Sequence, residues 1–388
     1  MDERTRRNVV AMGTVSFFAD IAGEMVAPIL PLFIVSTLGA PPLAVGLVDG
    51  AADLTASACR ALGGWWTDRA RRRKPTVLFG YAVSALAKPV LALAGAWPVA
   101  MAARMLDRSG KGLRGSARDA LITDSVDKSE LGYAFGLHRA MDTAGAVLGP
   151  LCALALISRG FDHRRIFELA ALPAAASVLI VAAFVREARR PDAGSAAARA
   201  GAPGARTPLP RAFWAFLSVY GLFALGNSSD SFLLLKARAD GLSETRVILA
   251  YVLFNLVNAA LAPAMGRLAD RWGRRRVVAS GLLVFALCYA GFAADREPRR
   301  LWGLFALYGV YAALVEGSFR AVVSQFTDEG NRGTAHGVFQ SLTGALAFCA
   351  SVLAGVLWTR VGPAAPFVFG AACAALASAG LAAAARAA

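Results

Sequence analysis

Apolar residues run along this chain in long blocks, each about the length of a bilayer crossing, separated by short polar breaks. A helix needs roughly 20 mostly apolar residues to span the hydrocarbon core. Twelve stretches satisfy that requirement: 8–36, 42–63, 76–96, 98–125, 132–157, 166–186, 211–236, 244–265, 277–294, 301–326, 334–359 and 363–384. The longest polar break, 187–210, is rich in Ala, Gly, Pro and Arg, the composition of a flexible linker. The pattern therefore predicts an all-α integral membrane protein with six helices over 1–186, a linker over 187–210 and six more helices over 211–388. The first apolar run continues through Phe33 with no small-residue cleavage pattern, so it reads as a span and not as a leader.

Composition supports the bilayer as solvent. Hydrophobic residues make up 57% of the chain, above the share usual in soluble domains, and the charged 17% cluster in short runs instead of covering helix faces. The formal charge of +15 does not indicate nucleic acid, because no basic stripe interleaves with stacking aromatics. Lys and Arg concentrate instead where cytoplasmic loops are expected: Arg4, Arg6, Arg7, the Arg69 to Lys74 run, the linker and the Arg271 to Arg276 run. The opposite loops hold fewer, among them Arg159, Arg238, Arg296 and Arg360, which places both termini inside a cell inner or plasma membrane. Cys59, Cys152, Cys288, Cys349 and Cys373 lie in apolar runs without CxxC or His-paired spacing, so no metal site, cofactor or disulfide framework is predicted.

The two basic loops match each other. GWWTDRARRRK begins at Gly64 and GRLADRWGRRR at Gly266, so Asp68 and Arg69 correspond to Asp270 and Arg271 at one offset of 202 (266 − 64). Arg118 finds Arg320 at the same offset, and Gly132 and Gly136 find Gly333 and Gly337 at 201. A repeat that puts the same loop on the same side of the membrane is a parallel duplication, with the halves related by a pseudo-two-fold axis.

These residues carry a resemblance. Gly64, Asp68, Arg69, Arg72 and Arg73, and again Gly266, Asp270, Arg271, Gly273, Arg274 and Arg275, resemble the G-x-x-x-D-R-x-G-R-[RK] loop of the major facilitator superfamily, between helices 2 and 3 and helices 8 and 9. The first copy departs from that pattern with Arg71 where glycine is usual. Helix 4 is similar to the family's R-x-x-Q-G-x-G-x-G element, keeping Arg104, Gly110 and Gly112 but placing Asp107 at the Gln and Arg108 at the first Gly. Its dense run R-x-x-D-R-x-G-K-G-x-R-x-x-x-R-D resembles a bacterial subgroup. Gly145, Gly149 and Pro150 are similar to the G-x-x-x-G-P signature of antiporters. The resemblance implies the family's twelve-helix fold and a monomer that exports a small organic solute or drug by alternating access in exchange for protons. The charges of the duplicated loop read either as positive-inside anchoring or as a gate at the inner face, with Asp68 at the N-terminus of a helix in the other half, Arg69 and Arg72 meeting Asp124, and Asp270 and Arg271 repeating the arrangement.

Charges inside spans are costly, so they face a cavity or a partner. Asp20 and Glu24 are four apart and share a face of helix 1; Asp49 and Asp53 lie on helix 2, and Lys88 on helix 3. Arg104, Asp107, Arg108, Lys111, Arg114 and Arg118 form a stripe along helix 4, and helix 5 adds His138, Arg139 and Asp142. The repeat maps Asp53 to Asn255, Asp107 to Gly309, His138 to Gln340, Arg139 to Ser341 and Asp142 to Gly344, while Glu24 falls beside Asn227. Protonation chemistry is therefore expected in the first half, on Asp20, Glu24, Asp53 and Asp142. Substrate contacts are expected from Arg104, Arg108, His138 and Arg139, and from Asn227, Asp230, Asn255, Asn258, Glu316, Arg320 and Gln340 of the second. The alternatives are structural salt bridges, export of a metal or organic cation on the first-half acids, carriage of an anionic metabolite on the arginines, and a non-transporting sensor or enzyme on the same fold. GKG at 110–112 lacks the spacing of a phosphate-binding loop, so no ATP-driven step is predicted.

Overall fold

The computed structural model describes residues 3–69, 72–127, 130–187, 209–326 and 332–386. Among these residues every regular element is helical. The first half holds α1 (Glu3–Val26), α2 (Pro42–Arg69), α3 (Lys74–Ala92), α4 (Trp97–Ser125), α5 (Leu131–Ile157) and α6 (His163–Phe184). The second holds α7 (Arg211–Gly226), α8 (Ser231–Ala239), α9 (Glu244–Trp272), α10 (Arg274–Ala294), α11 (Pro298–Gln325), α12 (Arg332–Arg360) and α13 (Ala365–Arg386). Ten of the twelve predicted spans are thus single helices. Eight helical stretches among the described residues, the interrupted Arg7–Thr37 included, are long and apolar enough to cross a membrane by length and composition. The charge stripe on α4 explains why that span falls outside the eight.

The first span of each half is broken. After α1 the chain turns at residues 27–29, resumes with Leu30–Leu32 and ends in a π-helical stretch, Phe33–Thr37. After α7 it breaks over residues 227–230 before α8. Pro28 accounts for the first break, since a proline inside a helix removes a hydrogen bond and clashes with the preceding turn. The second has no proline: Asn227 leaves helical geometry at φ −90°, ψ 81°. The two breaks coincide under the repeat, and interrupted spans at corresponding positions are a pointer to a binding site.

Packing divides the chain into two compact units, one holding the described residues of Met1–Ala27 and Thr55–Arg206, the other those of Pro28–Leu54 and Thr207–Ala388. In the first, α1 packs on α5 and α6, and α3 on α4 and α6. In the second, α7 packs on α12 and α13, and α10 on α11 and α13, the same neighbours under the repeat. Close approach in the first unit uses small residues: a side chain at Gly145 would meet the Phe17 carbonyl, and one at Gly149 the Glu24 Cβ and Ile21 carbonyl. In the second unit the stretch 42–54 is seated on α12 in the same way, with Gly46 against the Ser351 carbonyl and Gly50 against Phe348. Gly273 alone separates α9 from α10 at φ +93°, a backbone conformation that glycine adopts without strain. Large apolar side chains such as Leu62, Trp66, Phe79, Leu179, Trp214 and Leu287 point outward, as a lipid-facing surface requires.

Candidate solute and proton site

The first unit contains a cleft of about 480 Å³, counted with its open mouth, between α1, α3, α4 and α6. The helical spacing of the α4 charges aims Arg104, Asp107, Arg108, Lys111 and Arg114 into it. Asp20 and Glu24 enter from α1, Tyr81, Ser84 and Lys88 from α3, and Ser177 from α6. At the back, Lys88 Nζ donates to Asp107 Oδ1 at 2.7 Å, and Arg104 Nη1 lies 3.5 Å from the other carboxylate oxygen. This pairing accounts for the acid standing where the family pattern has Gln, because α3 supplies a buried lysine opposite it. Arg114 Nη1 donates to Ser84 Oγ at 2.6 Å, and its guanidinium stacks 4.3 Å from the centroid of the Tyr81 ring. Asp20 Oδ1 lies 3.9 Å from Lys111 Nζ, and Asp142 of α5 is a charged neighbour of the same carboxylate.

The predicted site residues thus separate. Asp20, Glu24, Arg104 and Arg108 line one cleft, and Asp142 stands behind Asp20. Arg139 turns away, its side chain 77% exposed and 3.4 Å from Asp142. His138 is buried, with Nε2 2.7 Å from Ser16 Oγ; it does not line the cleft. Asp53 belongs to the other packing unit. Lys88, Asp107, Lys111 and Arg114 were visible as charges in spans, yet nothing in the sequence told which of them share a cavity.

In the second unit the break after α7 gathers the polar residues. Tyr308 OH donates to Asp230 Oδ1 at 2.6 Å, and Ser229 Oγ donates to Asp49 Oδ2 at 2.6 Å. Asn227 sits at the same break, and the rings of Phe223, Phe285, Tyr308 and Tyr311 pack on one another in this unit. Asn255 donates to the Tyr251 carbonyl of its own helix at 3.0 Å; Asn258 and Gln340 are half-buried. The side chains of Glu316 and Arg320 lie outside the described residues.

At the ends of α2 and α9, the side chains of Asp68 and Arg69 also lie outside the described residues, as does the linker over 188–208. Arg72 is exposed, and Asp124 is held by Arg73, with Nη1 2.8 Å from Oδ2. Asp270 pairs with Arg274 one turn on at 3.0 Å, while Arg271 and Gly266 are exposed. Gly64 faces Ser116 of α4, and Pro150 is buried within α5 beside Gly149. Glu187 accepts from the backbone N–H groups of Arg73 at 2.7 Å and Lys74 at 3.1 Å, so its carboxylate caps the start of α3.

A duplicated all-helical fold with lipid-facing walls, paired span breaks and a charged cleft defines a multi-pass membrane transporter. The chain belongs to the major facilitator superfamily, whose model matches residues 12–236 and 217–387. An uncharacterized MFS-type transporter of Methanocaldococcus jannaschii is 34% identical over 376 residues, covering 95% of this chain and 92% of that protein. The puromycin resistance protein pur8 of Streptomyces alboniger is 32% identical over 178 residues, 45% of this chain and 35% of its own length. The crystal structure of the human organic anion transporter MFSD10 shares the fold, with a TM-score of 0.69 at 19% identity over 98% of this chain and 100% of that one.

Proposed function

We propose that this protein is a proton-coupled secondary transporter of a small organic solute, working by alternating access, with Asp20 as the group that takes up and releases the coupling proton. The observation that carries the reading is the setting of Asp20: a carboxylate inside a span, lining a cleft 3.9 Å from the ammonium of Lys111, with Asp142 of α5 as a charged neighbour. Neighbouring carboxylates disfavour a second negative charge and a nearby cation favours it, so a movable cation changes the balance. Glu24, one turn along α1 and in the same cleft, is the second titrating candidate. The test is transport by purified protein in liposomes. Asp20→Asn is expected to abolish uptake driven by a pH gradient and to retain solute counterflow; an unchanged pH-driven rate removes Asp20 from the coupling step.

Export in exchange for protons is a second reading. It is supported by the packing of Gly145 and Gly149 against α1 and by the likeness of part of the chain to a resistance protein. Inside-out vesicles with an imposed pH gradient test it, since an exporter accumulates its solute only when the interior is acid. The proposed setting is a cell inner or plasma membrane with both termini cytoplasmic, on the strength of the basic loops. A metal or organic-cation substrate is less well supported, because bases outnumber acids in the cleft lining.

A further inference from the structure

We infer that the cleft between α1, α3, α4 and α6 takes a solute that carries an anionic group, a carboxylate or a phosphate, and holds that group with Lys111 and Arg114. The inference rests on the reading of this cleft as the transport site and adds the charge class of what enters it. Its first support is the balance of the lining. Five bases, Lys88, Arg104, Arg108, Lys111 and Arg114, face three acids, Asp20, Glu24 and Asp107, a formal surplus of two positive charges (5 − 3). Surplus charge inside a bilayer is unfavourable, and an anion of one or two charges offsets it.

The second support is how the bases are arranged. Asp107 engages Lys88 and Arg104 and has Arg108 as a further charged neighbour, and Lys111 and Arg114 are the lining bases that lie beyond this group along α4. Arg114 is oriented by neutral groups, the Ser84 hydroxyl and the Tyr81 ring, which fix the direction of its fork without cancelling its charge. A planar guanidinium held in that way suits a carboxylate or phosphate oxygen pair. Lys111 is the movable partner. Its side chain is 47% exposed and its ammonium stands 3.9 Å from Asp20, too far for a close charge-assisted hydrogen bond, so it can turn to an incoming anion without losing one.

That movement has a defined sign. Asp20 is faced by Lys111 and Arg114 of α4 and by Asp142 and His138 of α5. When Lys111 leaves Asp20 for the anion, Asp20 loses the cation that favours its ionised form and gains a negative neighbour. Anion and proton therefore enter together, and the two travel in the same direction through the cycle.

The experiment uses the full-length protein in detergent and follows its thermal midpoint with succinate, inorganic phosphate, glucose 6-phosphate, glucose and tetraphenylphosphonium. A separate arm adds phosphatidylglycerol or phosphatidylcholine to the micelles. A soluble anion is expected to raise the midpoint, with an apparent affinity about tenfold weaker in Lys111→Gln and partly restored in Lys111→Arg. Binding is expected to withdraw protons from weakly buffered solution, and Asp20→Asn to abolish that uptake. Stabilisation by tetraphenylphosphonium alone, no shift with any soluble anion, or equal shifts in wild type and Lys111→Gln overturns the inference. So does stabilisation confined to phosphatidylglycerol, which would make the cleft a lipid site. If anions bind as expected and a pH gradient still drives nothing, the coupling role of Asp20 fails while the anion site stands.

Discussion

Lys88 and Asp107 form an ion pair of 2.7 Å across the α3–α4 interface, with side chains only 5% and 14% exposed. Breaking a buried pair from one side leaves an uncompensated charge, whereas replacing both partners with apolar groups is often tolerated. Asp107→Leu is expected to destabilise the protein by about 3–5 kcal/mol and to cut its yield. The double variant Lys88→Met, Asp107→Leu should recover most of that loss in a thermal melt. A double variant no more stable than the single one would show that the pair is not what Asp107 provides.

His138 is expected to act through packing. Its hydrogen bond to Ser16 ties α5 to α1 within the first unit, outside the cleft. His138→Ala should lower stability by about 1 kcal/mol, the worth of one buried hydrogen bond, and leave the KM for the transported solute within a factor of about two. A large change in KM with normal stability would return His138 to the solute site.

Gly149 and Gly136 lie on the same helix in opposite circumstances. A side chain at Gly149 runs into Glu24 and the Ile21 carbonyl, whereas one at Gly136 meets nothing within 4 Å. Gly149→Val is expected to separate α5 from α1 at about 1–3 kcal/mol and to impair transport, and Gly136→Ala to do neither. Equal behaviour of the two variants in melting and transport assays would contradict close packing at Gly149.

Tyr308→Phe removes the 2.6 Å hydrogen bond to Asp230 at the break that follows α7. A hydrogen bond to a charged group contributes about 1.5–3 kcal/mol, so the thermal midpoint should fall, and a variant that melts like wild type would show that Asp230 does not depend on Tyr308.

The orientation is open to direct chemical test. In a cysteine-free background, a single cysteine placed within 188–208 should react with an impermeant maleimide only from the cytoplasmic side. Labelling from outside would reverse the topology.

The order and approximate limits of the spans and their arrangement as two duplicated sets of six were legible in the sequence. A bilayer makes length and apolarity sufficient signals, and a repeated loop carries its own register. The α4 stripe was legible as well, since spacings of three and four place Arg104, Arg108, Lys111 and Arg114 on one face. Helical periodicity specifies the direction a side chain takes around its own axis but not the helix it meets there. Only the tertiary structure therefore decided that Lys88 answers Asp107, that Lys111 answers Asp20, and that Asp142 backs Asp20 while Arg139 turns outward. It alone decided that Asp53 belongs to a different packing unit from Glu24. Both breaks had a visible cause, Pro28 after α1 and the Gly226-Asn227-Ser228-Ser229-Asp230 run after α7, but only the tertiary structure decided that Ser229 and Asp230 meet Asp49 and Tyr308, partners far along the chain.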